Sequence, residues 1–155
     1  MYFDFIEKAK VKFNTDVYVE SIINEFPMKI SKCYTDLTPS GNNIFRKSNS
    51  IILGKNETEE FYTSVSRGMI VDKIDIPGIH QTVAFLSTKV KESNDTGWQK
   101  LARMIKYFNG TKKNYLTLSA DDLKFVKCYV EASFAFHPGL KSHSVAILTV
   151  IQGEM

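Results

Sequence analysis

The sequence predicts an α+β fold, and three observations carry that reading. Alternating apolar runs occupy both ends of the chain, over residues 2–13 and 115–151. Between them lie four segments whose apolar residues recur at helical spacing. No internal repeat or low-complexity tract interrupts the 155 residues, a length that suits one ordinary domain. Strands segregated from helices in this way point to a helical centre flanked by an N-terminal β-hairpin and C-terminal antiparallel strands.

Each element has its own justification. Tyr2, Phe3, Phe5 and Ile6 precede a Glu7-Lys8-Ala9-Lys10 turn, and Val11 and Phe13 alternate after it, which makes a hairpin. Asn14 or Thr15 then caps a helix, with Asp16 near its positive end. Val19, Ile22, Ile23 and Phe26 share one face of it, and Pro27 stops it. Residues 28–55 are the least regular part. Thr38-Pro39-Ser40-Gly41-Asn42-Asn43 is turn chemistry, and Ile51-Ile52-Leu53 is expected to anchor, against the domain, a long connection that either wraps a surface or is partly mobile. Asn56 caps a second helix, with Glu57, Glu59 and Glu60 in its first turn and Phe61, Val65 and Met69 inward. Asp75-Ile76-Pro77-Gly78 breaks it, and a third helix turns Ile79, Val83, Leu86 and Val90 inward. The fourth helix is the clearest. Asn94 or Asp95 caps it, Trp98, Leu101, Ala102, Ile105 and Phe108 form one stripe, and Asn109-Gly110 is its stop signal. Lys100, Arg103 and Lys106 fall off that stripe, on the solvent side, and Lys112 and Lys113 follow. Residues 115–118 alternate like a strand, Ser119-Ala120-Asp121-Asp122 reads as a turn, and residues 123–136 and 145–151 read as two longer strands.

Composition limits the function classes. The longest apolar stretch, residues 145–151, is far too short to cross a bilayer, so no membrane role is expected. Asp4, Glu7, Lys8, Lys10 and Lys12 exclude a secretory signal from the first residues. Cys33 and Cys128 lie far apart without metal-type spacing and read as reduced thiols of an intracellular protein, cytoplasmic or nuclear and not secreted. Charge is uneven. Residues 1–75 hold ten Lys/Arg against eleven Asp/Glu, whereas residues 76–155 hold ten against six. A basic half of this size permits phosphate binding without demanding it.

The residues with chemical potential are few. Glu131 sits inside an otherwise apolar strand-like run, where a lone carboxylate is costly unless paired. It reads either as a metal ligand or, the reading favoured for this chain alone, as a strand carboxylate that reaches solvent or pairs with Lys127 or Lys141. A single carboxylate does not hold Mg²⁺ tightly. Lys100, Arg103, Lys106, Lys112 and Lys113 read either as a track for a nucleic-acid backbone or as a solvated helix face. Lys141, Ser142, His143 and Ser144 read either as contacts to phosphate or sugar oxygens or as an ordinary hairpin loop. Asp121-Asp122 is a plain turn. His80, His137 and His143 lack metal spacing, and no Ser/His/Asp or Cys/His arrangement is legible.

Seven short blocks, in order along nearly the whole chain, resemble the stretch of copia-type retrotransposon Pol polyproteins between the reverse transcriptase palm and ribonuclease H. Residues 1–5, Met-Tyr-Phe-Asp-Phe, are similar to the strand after that family's Tyr-Leu-Gly-Met block. Residues 18–27 resemble its Tyr-(Ile/Val)-Glu helix ending in Pro, and Thr38-Pro39-Ser40-Gly41-Asn42 its Thr-Pro-(Ala/Ser)-Gly-Asn loop. Residues 83–90, Val-Ala-Phe-Leu-Ser-Thr-Lys-Val, are close to Val-Ala-Phe-Leu-Cys-Thr-Arg-Val. Trp98-Gln99-Lys100-Leu101 with Tyr107-Phe108-Asn109-Gly110-Thr111 resembles its Trp-x-Lys-Leu and Tyr-Leu-x-Gly-Thr pair. Residues 116–122 are similar to Leu-Thr-Leu-x-Ala-Asp-Asp, and residues 127–144 to the opening hairpin of the ribonuclease H domain. The family has Asp where this chain has Glu131, Gly-Gly where it has Val145-Ala146, and Arg-Pro-Asp where it has Ile76-Pro77-Gly78.

The resemblance implies a division into the end of a palm-like unit over 1–27, a connection or thumb-like helical region over 28–113, and the truncated start of a ribonuclease H-like sheet over 114–155. It implies a magnesium-dependent family, RNA–DNA hybrid or DNA as partner, and missing parts in a longer Pol. This chain would begin after the polymerase aspartates and end after the first ribonuclease H carboxylate, Glu131. The expectation is therefore a partial reverse transcriptase/ribonuclease H with no activity alone. Two alternatives stand beside it: a noncatalytic nucleic-acid-binding module using the basic C-terminal half, and an inert or protein-interacting domain.

Overall fold

The computed structural model describes residues 2–7, 10–28, 35–46, 50–120, 127–137, 141–149 and 151–153. The fold is α+β. Strands β1 (Tyr2–Glu7) and β2 (Lys10–Asn14) form the N-terminal hairpin, with Phe3 opposite Phe13 and Phe5 opposite Val11. Helices α1 (Asp16–Glu25), α2 (Lys55–Ile74), α3 (His80–Ser87) and α4 (Asp95–Thr111) fill the centre. One 3₁₀ turn precedes α3 at Pro77–Ile79 and another follows it at Val90–Glu92. Strands β3 (Thr117–Ala120), β4 (Lys127–His137), β5 (Lys141–Thr149) and β6 (Ile151–Gly153) complete the chain.

The strands do not stay in two separate groups. An antiparallel sheet of four runs β1-β2-β3-β6, so the N-terminal hairpin and the C-terminal strands share one sheet. β4 and β5 form a second, two-stranded ribbon. Ser119 and Ala120, expected in a turn, are instead β3 residues opposite Lys10 and Ile151. The Lys10 opposite Ser119 lies about 110 residues away and the Ile151 opposite Ala120 about 30, both beyond the reach of a local turn rule. Lys141, Ser142, His143 and Ser144, read as a possible hairpin loop, belong to β5. Asp121-Asp122 and Cys33 lie outside the described residues.

The core is helical. Val19 and Ile22 of α1, Phe61, Val65 and Val71 of α2, Val83, Phe85 and Leu86 of α3, and Leu101, Met104, Ile105 and Phe108 of α4 are buried, joined by Ile44 from the connection. Apolar periodicity built this core as expected for α1 and α4; of the residues expected inward on the third helix, Val83 and Leu86 are buried on α3, Ile79 is buried in the 3₁₀ turn before it, and Val90 is half-buried in the 3₁₀ turn after it. In α2 it misled at one turn: Met69 is exposed, while Gly68 and Val71 face inward. A helix turns every 3.6 residues, so each step of four overshoots by about 40° and the third residue of a fourfold series leaves the face. Gly68 lies against the tip of Met104, where a Cβ would come within 2.9 Å of its Cε. The stop signal at Asn109-Gly110 falls in the last turn of α4, which runs one residue further, to Thr111.

Helix starts differ in detail from the sequence rules. Asn94 caps α4 as expected, accepting from the Gly97 amide at 2.9 Å. α2 begins one residue before Asn56, with Glu57 reaching back to the Gly54 amide at 3.0 Å. At α1 the Asn14 side chain accepts from the Asp16 amide at 3.1 Å, and Thr15 donates to Asp75 at the end of α2. Of the expected anchor Ile51-Ile52-Leu53, only the Leu53 side chain packs against the core, half-buried, while Ile51 and Ile52 are exposed; backbone adds to it, the Leu53 amide donating to the Ser93 carbonyl and the Asp95 amide to that of Ile51.

The break after α2 carries an acid–base pair. Asp72 lies 2.6 Å from His80 Nδ1 with its side chain only 8% exposed, and its second oxygen is buried without a hydrogen-bond partner among the described residues. Burial pushes the Asp72 carboxyl above its ordinary value of 3.8, against the opposing pull of the His80 bond and the His80 and Lys73 charges. An acid whose pKa is raised on folding holds its proton more tightly in the native state. Stability from this group is therefore present at low pH and lost as pH rises through the folded value. The stability difference between the parent protein and Asp72→Asn should fall as pH rises from the ordinary value of 3.8 through the raised folded one. Urea melts across that range check it, and a difference that grows with pH contradicts it.

Candidate nucleic-acid interface

Helix α4 sets Lys100, Arg103 and Lys106 three residues apart, which places them in one row on its surface. The sequence puts that row on the solvent side, and the structure puts a wall beside it. The connection segment 36–46 lies along the row, and Lys100 and Arg103 hold it there. Lys100 Nζ donates to the carbonyls of Ile44 at 2.6 Å and Arg46 at 3.2 Å, and stands 4.9 Å from the centre of the Phe85 ring. Arg103 donates from Nε to the Thr38 carbonyl at 3.3 Å and from Nη2 to Thr38 Oγ1 at 3.0 Å, with Asp36 at 3.8 Å. Burial, and then the nearby Lys89 charge, lower the Lys100 pKa.

The turn chemistry of residues 38–43 gives this wall its shape. Thr38 Oγ1 donates to the Ser40 carbonyl, and the amides of Ile44 and Arg46 donate to the carbonyls of Gly41 and Asn43. Ile44 enters the core, and Phe45 meets Phe85 edge-on at 5.3 Å. Gly41 faces the Arg103 guanidinium, where a Cβ would lie 3.5 Å from Nη1 and 3.1 Å from Asn43 Oδ1. Between wall and helix runs a cleft of about 360 Å³ whose lining includes Ser40, Gly41, Thr96, Gln99, Arg103 and Lys106. Three cations, two hydroxyls and two amides around such a cleft, against the single carboxylate of Asp36, favour anionic oxygens.

The other expected site residues lie elsewhere. Lys112 pairs with Glu20 of α1 at 3.8 Å, and Lys113 is exposed just past α4. Lys141, Ser142 and His143 are on β5, with Lys141 opposite His137 and His143 opposite Ser133, and Ser142 exposed. The structure thus joins Lys100, Arg103 and Lys106 at one cleft, sets Lys112 and Lys113 at the far end of the same helix, and keeps 141–143 on the ribbon. Sequence reasoning missed the wall itself. Its turn residues were visible, but nothing local marks which helix they dock on.

Glu131 is a β4 residue opposite Val145. Among the described residues no group of three or more His, Cys, Asp or Glu gathers in a way that could hold a metal ion. The described residues therefore do not fit the two-magnesium arrangement of the ribonuclease H family. Trp98, read as core, is half-buried and stacks on Phe26 at 5.5 Å with rings 22° apart. No helix among the described residues is long and apolar enough to cross a membrane. No protein-family model, curated protein or solved structure matches the chain.

Proposed function

We propose that the chain is the part of a copia-type retrotransposon Pol protein between the polymerase palm and ribonuclease H. In this reading it is a noncatalytic contact to the backbone of an RNA–DNA hybrid or DNA, working inside the cell, cytoplasmic or nuclear. It has no polymerase or nuclease turnover of its own, and Mg²⁺ belongs to the rest of such a protein. The supporting observation is the α4 cleft. Two blocks of the resemblance, Thr38–Asn42 and Trp98–Leu101, meet there, and Lys100, Arg103 and Lys106 line up along it. Phosphate contacts of this kind position a duplex without reading its sequence.

The same hydrogen bonds favour a second reading. Lys100 and Arg103 are engaged by the carbonyls of the wall, so the row also serves as a clasp, in a domain that meets other proteins and no nucleic acid.

Fluorescence anisotropy with a labelled RNA–DNA hybrid at stepped salt separates the two. Under the first reading affinity falls steeply with salt, and Lys106→Gln reduces the log–log slope by about one. Joint replacement of Lys100, Arg103 and Lys106 by Ala weakens binding further, with folding verified by circular dichroism. Absence of binding at low salt supports the second reading and ends the first. In the same samples with magnesium the hybrid stays intact; cleavage by the parent protein that Glu131→Ala abolishes would overturn the claim of inactivity.

A further inference from the structure

The β4–β5 ribbon presents apolar side chains to solvent. Val130 and Leu148 are each 70% exposed, and Cys128, Ala132, Ser144 and Ala146 are exposed beside them. The register settles which of these share a face. Cys128 stands opposite Leu148, Val130 opposite Ala146, and Ala132 opposite Ser144, and residues two apart on a strand point the same way. The six form three rows on one side of the ribbon, and none is charged. A two-stranded ribbon alone is marginal in water, and an uncovered apolar ladder invites pairing.

We propose that this face closes on the same face of a second copy of the chain, about a twofold axis parallel to the strands. Such an axis lays β4 of one copy over β5 of the other without shifting rows. Val130 then meets the partner's Ala146, Leu148 meets the partner's Cys128, and Ala132 meets the partner's Ser144. In the two rows with a large residue, that residue faces a small one. This lets two sheet faces interdigitate at their usual separation of about 10 Å. A twofold axis across the strands would instead set Val130 on the partner's Val130 and Ala146 on the partner's Ala146, a clash beside a gap. The missing charge selects the class of partner as well. A phosphate backbone or an anionic lipid surface needs cations, which these six residues do not supply. An isologous contact sets like against like, and an uncharged face does so without repulsion.

Sedimentation velocity of the full chain over a micromolar concentration range tests this. The parent protein is expected to show a monomer–dimer equilibrium insensitive to salt. Val130→Lys alone and Ala146→Asp alone are each expected to weaken the dimer at least tenfold, because each homodimer would bury two unpaired charges. An equimolar mixture of the two variants is expected to dimerise again. In the mixed pair the introduced lysine lies over the introduced aspartate, and the second Val130–Ala146 contact is untouched. That heterodimer, unlike the parent, weakens as salt rises. Val130→Thr keeps the branched shape and is expected to weaken the dimer several-fold while preserving the fold. A parent protein that stays monomeric or assembles without limit overturns the proposal. So do single variants that dimerise like the parent, or a mixture that remains monomeric.

Discussion

Phe61→Ala is expected to lower the free energy of unfolding by about 3–5 kcal/mol, the usual range for truncating a fully buried aromatic. Phe61 is 0% exposed and stands where three helices meet. Its ring is 6.3 Å from that of Trp98, which in turn stacks on Phe26 at the end of α1. Gly97 lies beside it so closely that a Cβ there would touch the ring at 3.5 Å. Truncation therefore opens a void between α1, α2 and the first turn of α4, and the aromatic stack above it loses its floor. The neighbours are held by helix backbones and cannot collapse far, which places the effect in the upper part of the range. A domain with a total stability of about 5–15 kcal/mol would lose a large share of it. Trp98 is the sole tryptophan and its ring borders the void, so its fluorescence during urea unfolding reads the change directly. A loss below about 1 kcal/mol would mean that the stack closes over the gap, contrary to this packing.

Which parts of this arrangement are legible in the sequence follows from the range of the forces involved. Helical period, Asn94 as a cap and Pro77 as a break act within a few residues, and α1, α3, α4 and the N-terminal hairpin were readable from them. The inward face of α2 was read wrongly at Met69 because a fourfold pattern imitates a helical one only briefly. Pairing of β2 with β3 joins residues about a hundred apart, and no local rule states which distant strand an apolar run will find. The cleft was half visible. Lys100, Arg103 and Lys106 are obvious as a row, but a cation off the apolar stripe looks the same in sequence whether it faces water or holds a loop. The Asp72–His80 pair was not visible at all, since it forms across a helix break.

Asp75→Ala should be the most damaging polar substitution, lowering stability by about 3 kcal/mol. Asp75 is 6% exposed and joins three parts of the fold. Thr15 Oγ1 at the start of α1 donates to one of its oxygens, and the Leu116 amide at the approach to β3 donates to the other at 3.1 Å. The Leu116 carbonyl in turn accepts from the Phe13 amide of β2 at 2.9 Å, so the carboxylate fixes the point where helices and sheet meet. Tyr115 braces the same junction, donating to Asp16 at 2.9 Å with Lys12 lying 3.4 Å over its ring. Removing the carboxylate leaves the buried Thr15 hydroxyl and the half-buried Leu116 amide without acceptors, and that penalty, more than the lost attraction, sets the magnitude. The mechanism is separable from a general weakening. Thr15→Val removes one of the orphaned donors, so the double variant should be less unstable than the two single losses combined. Asp75→Asn keeps one acceptor and should lose less than Asp75→Ala. Amide exchange at Leu116 should accelerate in Asp75→Ala more than exchange at the buried positions of α4, because the sheet end is released before the helical core opens. Equal acceleration at both places, with strictly additive energies, would show that Asp75 is one more buried side chain and not the link between the two halves of the fold.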